Sequence, residues 1–228
     1  MGGRGASSGA KGAGGVVFTA SGGLAIGTDK IEFDGDLVYY GDDARLTDEV
    51  RKAIEAFEQK RVKNKIEYAF AVDVNGNPVD TEKKGGSGSV KASYAMHEYS
   101  DTFSHNHPRE QGGLGGTFSP ADLRNFAKYG NKTVRATAKE GTYSISKGSN
   151  FDAAGFTKYV REVDAAHQKE YKQTLKTLNA NIRNGKIRAD EFNRANYKAF
   201  NTMLVNLHNS YKAGEKTYGY TYTLEQVK

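Results

Sequence analysis

The sequence predicts a mixed α/β (α+β) fold, in which helices flank a mixed β-sheet and a helical hairpin precedes the last strand. Two periodicities favour this class. In short segments apolar residues recur at every second position, as in strands, and in longer segments they recur at steps of three or four, as in amphipathic helices. Turns rich in Gly and Asn separate the segments. No internal repeat is visible, and 228 residues suffice for one domain with appendages.

The composition along the chain divides it into four parts. Residues 1–28 contain ten glycines and few large apolar side chains, so we expect a disordered tail there. Residues 29–149 carry most of the strand-like segments and form the predicted core. Residues 150–214 form the predicted helical hairpin, and residues 215–228 are expected to return to the sheet as its last strand.

The elements of the first half follow from local patterns. Residues 30–41 alternate and predict a short hairpin or an added edge strand, and residues 46–64 predict a helix capped by Thr47. Residues 66–84 alternate around an Asn-Gly-Asn turn and predict a hairpin. Residues 84–93 predict a loop that runs into a strand.

The remaining elements follow from the same two periodicities, with turns expected at Glu140–Gly141 and at 183–186. In chain order we expect a strand over 100–107, a helix over 120–129, a hairpin over 133–146, two long helices within 150–213 and a strand over 218–225.

The bulk composition excludes several kinds of chemistry. The chain has no cysteine, which rules out disulfides, thiolate zinc sites and cysteine nucleophiles, so any metal would be held by His, Asp or Glu. No apolar run approaches the roughly 20 residues of a membrane helix, and no signal-peptide pattern opens the chain. We therefore expect a cytoplasmic protein without a membrane partner.

The net charge of +6 lies entirely in the last quarter of the chain. Residues 165–228 hold 11 Lys and Arg against 5 Asp and Glu, whereas the rest of the chain is balanced. Such a stretch can bind nucleic acid or an acidic protein, and it can equally be the solvated face of helices. The sequence leaves both interpretations open.

A group of residues with metal-binding chemistry lies in the segment SHNHPREQGGLGGTFSPADL, residues 104–123. In a strand, His105 and His107 project from the same face, as two ligands of one ion must. The run from Ser119 to Asp122 is a helix start signal, and a helix beginning there would bring Asp122 towards the histidines. Three protein ligands with an open fourth position are typical of a catalytic zinc.

The combined pattern HNHP followed by SPAD resembles the H-x-H-P…S-x-x-D signature, called JAMM, of the JAB/MPN metalloprotease family. The run from IEYAFAVDVNGNPV through SHNHP and FSPADL to YGYTYTLE is similar to the RadC-like branch, and most of all to JAB-like domains of bacteriophage head-morphogenesis proteins. The resemblance covers about residues 45–147 and the last strand. It implies a JAB/MPN (cytidine-deaminase-like) core, in a protein of the bacterial host cytoplasm or of the virion.

The resemblance also implies roles for individual residues. His105, His107 and Asp122 would bind Zn²⁺, which lowers the pKa of a bound water from about 15.7 towards about 7. Glu67 would be the general base, since it occupies the place of the family's upstream glutamate and strand alternation turns it away from the apolar face of its strand. Ser119 would donate a hydrogen bond to the oxyanion. The implied function is a zinc metallopeptidase or isopeptidase, whose substrate would be a peptide or protein such as a ubiquitin-like protein or a phage assembly protein.

Two further hypotheses stay open. A phage structural or assembly module would keep the fold and the metal without turnover. A nuclease is suggested by the letters HNH and the basic last quarter, although HNH nucleases spread those residues over a ββα unit. The connection from Pro108 to Ser119 is longer than the family's usual one, and it could either fold over a substrate groove or hold Asp122 away from the histidines.

Overall fold

The computed structural model describes residues 37–108 and 114–226, and within these ranges the chain forms six helices and six strands. The expected tail at 1–28 and most of the alternating segment 30–41 lie outside the described residues. In chain order the elements are α1 (Asp48–Arg61), β1 (Tyr68–Val72), β2 (Lys83–Lys84), α2 (Tyr94–Glu98), β3 (Thr102–Asn106), α3 (Pro120–Lys128), β4 (Thr133–Ala138), β5 (Gly141–Lys147), α4 (Ala153–Arg183), α5 (Ala189–Ala213), α6 (Glu215–Tyr218) and β6 (Tyr220–Glu225).

The six described strands form one mixed sheet in the order β2-β1-β3-β4-β5-β6. The β3–β4 pair is parallel, and the other four pairs are antiparallel. Helices flank this sheet, so the predicted mixed α/β class is confirmed. Strand β3 lies inside the sheet with a partner on each side, and all five of its residues are buried. Its backbone is therefore fixed from both edges, which suits a strand that carries functional side chains.

Both faces of the sheet are covered by apolar packing. Ala69 and Ala71 of β1 belong to a large cluster with side chains of α2, α3, α4 and α5, whereas Phe70 and Val72 belong to a smaller cluster with α1. Because side chains alternate along a strand, the two clusters lie on opposite faces. His105 pairs with Ala69, and directly paired residues share a face. His105 therefore lies on the face of the large cluster.

A buried ion-pair cluster joins α1 to the sheet face that carries the smaller apolar cluster. Arg135 of β4 donates hydrogen bonds to both oxygens of Glu58 on α1, at 2.8 and 3.0 Å, and to both oxygens of Glu225 on β6, at 3.0 and 2.9 Å. Ser104 of β3 also donates to Glu58, at 2.8 Å. Such charge-assisted bidentate bonds fix orientation as well as contributing energy. The Arg135 bonds hold α1 against β4, and the Ser104 bond holds it against β3, whose other face carries His105.

Helices α4 and α5 lie between β5 and β6 in the chain and contact each other along their length. Helix α5 also reaches the loop before α3, where Asn201 Oδ1 accepts a hydrogen bond from the Leu114 N–H at 3.3 Å. The excess Lys and Arg of the last quarter lie mostly on exposed positions of these two helices and their turn. No helix in the part of the chain that the structure describes is both long and apolar enough to span a membrane.

Three local predictions were wrong in whole or in part. No strand forms in 37–41, the described end of the segment expected to be a hairpin or edge strand. The loop after residue 84 runs into helix α2 and not into a strand, because Ser93 Oγ accepts the Met96 N–H at 3.3 Å and so caps a helix that buries Met96. The second hairpin turns at 139–140, one residue earlier than expected.

Candidate metal centre

His105 and His107 project to the same side at the end of β3, as strand alternation predicts. His107 continues the pairing with β4, since its N–H donates to Thr137 O at 2.8 Å. The Nε2 atoms of the two histidines lie 2.9 Å apart, and both residues are buried. Two buried imidazoles whose nitrogens face each other this closely form half of a chelating set.

Asp122 is brought to the histidines by the start of α3. Ser119 Oγ accepts the Asp122 N–H at 3.2 Å, and Asp122 Oδ2 accepts bonds from the Ser119 N–H at 2.8 Å and the Ser119 hydroxyl at 2.7 Å. The same Oδ2 lies 3.5 Å from His105 Nε2 and 3.8 Å from His107 Nε2. This capping box therefore both begins the helix and aims the carboxylate. The connection that begins at Pro108 does not hold Asp122 away.

The charge of Asp122 is stabilised by the two histidines. Burial by itself raises the pKa of this carboxyl, but the charges and hydrogen bonds of His105 and His107 outweigh it and hold the pKa well below its usual range. Asp122 is therefore an anion near neutral pH. An anionic oxygen beside two imidazole nitrogens is a donor set that attracts a divalent cation.

The second nitrogen of His107 has a fixed partner. His107 Nδ1 lies 2.9 Å from Gly116 O. Because a carbonyl oxygen only accepts, the proton of the neutral ring belongs on Nδ1, and Nε2 offers its lone pair to the site. His105 Nδ1 is buried and has no hydrogen-bond partner among the described residues. The ligand nitrogens thus differ in how firmly the surrounding protein orients them.

The three residues could hold a metal ion. One ligand atom from each of His105, His107 and Asp122 lies within 4.8 Å of the others. Tetrahedral ligands at about 2.0–2.1 Å from an ion stand about 3.3 Å apart, and the three separations of 2.9, 3.5 and 3.8 Å bracket that spacing. The residues therefore fit a tetrahedral ion with one position left over. Within the described ranges, no other group of three such residues comes together.

Glu67 lies beside this group. Glu67 lies two residues before Ala69, the direct partner of His105, so strand alternation places its side chain on the same face as His105. The residue is only 3% exposed, and its Oε2 is buried without a hydrogen-bond partner among the residues that the structure describes. Desolvation raises the pKa of Glu67 to about 7, with Asp122 adding to the rise and His107 and a hydrogen bond from the Val90 backbone opposing it. This carboxyl can therefore exchange a proton near neutral pH.

Asn106, between the two histidines, holds the backbone on either side of Glu67. Its Oδ1 accepts the Tyr68 N–H at 2.6 Å, and its Nδ2 donates to Ile66 O at 3.0 Å. Sequence reasoning assigned no role to this residue. A buried amide inside a strand was the available signal, because such a group must find partners.

A second residue without an expected role is Glu140, at the turn between β4 and β5. Its carboxylate accepts the N–H groups of Gly115 and Gly116, at 3.0 and 2.7 Å. An acid at a hairpin turn is ordinarily solvated, so the sequence carries no signal for this contact. The contact matters for the site because the same Gly116 that donates to Glu140 also accepts a hydrogen bond from His107 through its carbonyl.

A small cavity of about 20 Å³ adjoins the group on the side of His105 and Asp122. Aromatic and aliphatic side chains form most of its wall, including Val90, Phe103 and Phe126. The volume is close to that of one water molecule. The described part of the site is therefore a closed, mostly apolar environment in which charge interactions are strong.

No protein-family model matches the chain, and neither the curated proteins nor the solved structures include a significantly similar one.

Proposed function

We propose that the chain is a zinc-dependent hydrolase of peptide or isopeptide bonds with a JAB/MPN-type core. The observation that carries this proposal is the convergence of His105, His107 and Asp122 on one point beside the buried carboxyl of Glu67. The central β3, flanked by β1 and by a parallel β4, presents His105 and His107 on the face opposite α1, and the start of α3 brings Asp122 to them. The motif resemblance in the sequence supplies the reaction class, and the geometry supports it.

Zinc is the proposed metal because its usual ligands are the ones present. Two imidazole nitrogens and one carboxylate oxygen suit Zn²⁺, and three protein ligands leave a fourth position for chemistry. When bound, Zn²⁺ would supply an acidified water as nucleophile and would polarise the carbonyl of the scissile bond. His105, His107 and Asp122 would hold the ion.

Glu67 is the proposed general base. Its Oε2 takes a proton from the attacking water and passes it to the leaving amine nitrogen, so that both products form without free hydroxide or amide anion. A pKa of about 7 keeps the carboxyl near the balance between its two protonation states. The apolar surroundings that raise the pKa also strengthen its interaction with nearby charges.

Ser119 is the proposed oxyanion donor. Its hydroxyl donates to Asp122 Oδ2 in this structure, so the residue now orients the carboxylate. Donation to an oxyanion requires the hydroxyl to rotate away from Asp122 as substrate binds. Rotation of one hydroxyl is a small change, and the Ser119 N–H still holds the same oxygen at 2.8 Å.

The test combines metal analysis with a cleavage assay. Wild type, His107→Ala, Glu67→Gln and, as a control in the helical hairpin, His167→Gln would be analysed for zinc by plasma mass spectrometry and incubated with peptides and lysine-linked isopeptides. We expect about one zinc per chain and cleavage in wild type and control. His107→Ala should lose both, and Glu67→Gln should keep zinc while its rate falls by about 10²–10⁴. Wild-type protein without zinc would contradict the proposal.

The second candidate is a phage structural or assembly module that keeps the metal without turnover. The observation that favours it is the closure of the site, since His105 is 1% and Asp122 8% exposed and the adjoining cavity has room for about one water. Stoichiometric zinc in wild type, with no cleavage of any peptide and with lower thermal stability after chelation, would select this candidate.

A further inference from the structure

The loop that contains Gly115 and Gly116 contacts His107, one of the proposed ligands, at the ring nitrogen that would not bind the metal. Gly116 O lies 2.9 Å from His107 Nδ1. A hydrogen bond at the nitrogen that does not bind the metal fixes which nitrogen carries the proton and how the ring is oriented. Both properties affect metal binding. The direction of the Gly116 carbonyl therefore determines the orientation of the His107 ring and keeps the lone pair on Nε2.

Glu140 holds this loop through two adjacent backbone groups. Its Oε2 accepts the Gly115 N–H at 3.0 Å, and its Oε1 accepts the Gly116 N–H at 2.7 Å. The carboxylate is held in turn, because Tyr143 donates its hydroxyl to Oε1 at 3.2 Å and Tyr39 donates to the Glu140 backbone carbonyl at 2.7 Å. Bonds between an ionised acceptor and backbone N–H groups are stronger than neutral ones. The two peptide planes are thus fixed together.

The glycines allow the loop to approach its neighbours closely. A Cβ on Gly115 would lie 2.6 Å from Ala138 Cβ, and one on Gly116 would lie 2.9 Å from Leu204 Cδ2. Gly116 also has a φ of +81°, in the left-handed region that favours glycine. The backbone is therefore enclosed between β4 and α5 and is oriented by Glu140, while no side chain of its own could anchor it.

We propose that Glu140 is a positioning residue of the metal centre, acting on His107 through the Gly116 carbonyl. No contact between Glu140 and the ligand atoms is needed, since two hydrogen bonds from the loop to Glu140 and one from His107 to the loop connect them. This inference rests on the proposed metal site. Removing the carboxylate frees the loop, lets the proton of His107 move between its two nitrogens and weakens zinc binding by about 10–100-fold.

The experiment compares wild type, Glu140→Gln, Glu140→Ala and the control Glu162→Gln, which removes a charge from an exposed position on α4. Zinc affinity is measured by competition with a chromophoric chelator. The His107 tautomer is measured in metal-free protein by long-range nitrogen–proton NMR. Glu140→Gln keeps the volume and one acceptor oxygen, so it provides the comparison if Glu140→Ala does not fold.

We expect His107 to carry its proton on Nδ1 in wild type and control. In the Glu140 variants that signal should be lost or mixed, and zinc should bind about 10–100-fold more weakly. A folded Glu140 variant with an unchanged His107 tautomer, or with zinc affinity within about twofold of wild type, would overturn the inference. Wild-type protein that binds no zinc would contradict the proposed function, and the tautomer measurement would still decide whether Glu140 positions His107.

Discussion

Glu67 and His105 share one face of the sheet, because Glu67 lies two residues before Ala69, the direct partner of His105 across β1 and β3. Its carboxyl is buried, one of its oxygens has no hydrogen-bond partner within 37–108 and 114–226, and desolvation raises its pKa to about 7. A buried carboxyl that gains a charge without full compensation destabilises the folded chain. Burial of this carboxyl therefore opposes folding, and the proposed function assigns it to proton transfer.

The burial of Glu67 predicts how the stability of metal-free protein depends on pH. Because the pKa is raised, the folded chain keeps a proton that the unfolded chain has released, so the destabilisation is absent below about pH 4.5, grows as pH rises from about 4.5 to 7 and stays constant above 7. Glu67→Gln removes this cost. We expect the metal-free variant to be more stable than wild type by roughly 2–3 kcal/mol at pH 8 and similar at pH 4.5, measured by urea unfolding. If the variant and wild type were equally stable at pH 8 as well as at pH 4.5, the Glu67 carboxyl would have to be solvated in the folded chain.

Asn106 gives a prediction about the backbone beside Glu67. In Asn106→Ala the Tyr68 N–H and the Ile66 carbonyl lose their buried partner, which should lower the free energy of unfolding by about 2–4 kcal/mol. Asn75→Ala, at an exposed turn, should change it by less than about 0.5 kcal/mol. Chemical denaturation measures both, and similar small losses in the two variants would show that the Asn106 bonds contribute little.

His208 predicts a second pH effect, of opposite sign and away from the metal centre. The residue is fully buried between Tyr222 OH and Val38 O, each 2.9 Å from one ring nitrogen. Burial, aided by the positive charge of Lys212 and opposed by the Val38 hydrogen bond, lowers its pKa to about 4.

Between pH 6.5 and about 4 the unfolded chain therefore binds a proton that the folded chain does not, and stability falls as pH decreases through this window. His208→Gln should flatten that decrease relative to wild type, whereas His167→Gln, on a partly exposed histidine, should not. Thermal unfolding at pH 7, 6, 5 and 4 measures the difference. A His208→Gln curve parallel to that of wild type would contradict the assignment.

The features that could be predicted from the sequence are the ones that local patterns encode. Alternation along β3 is enough to place His105 and His107 on one face, and the cap residues Ser119 and Asp122 mark the start of α3 within a few positions. Both patterns act over two to four residues. These two parts of the site could therefore be predicted from local patterns, whereas the contact of Asp122 with the histidines is a tertiary contact that only the motif resemblance implied.

The features that could not be predicted depend on long-range contacts or on very short elements. Glu140 reaches a loop 24 residues before it in the chain, and no local pattern reports that contact. Helix α2 has five residues, too few to show helical periodicity. On β1 the alternation of large apolar residues points to the Phe70 face, yet the larger core forms on the Ala69 face, because helices from distant parts of the chain pack there.

The most direct test of the central claim is a crystal structure of zinc-loaded protein with anomalous data collected on both sides of the zinc absorption edge. We expect one strong anomalous peak per chain, bonded to His105 Nε2, His107 Nε2 and Asp122 Oδ2 at about 2.0–2.2 Å, with the Glu67 carboxylate nearby but not bonded to the ion. A zinc peak at other residues, or none at this group in protein that is otherwise folded as described, would contradict the account.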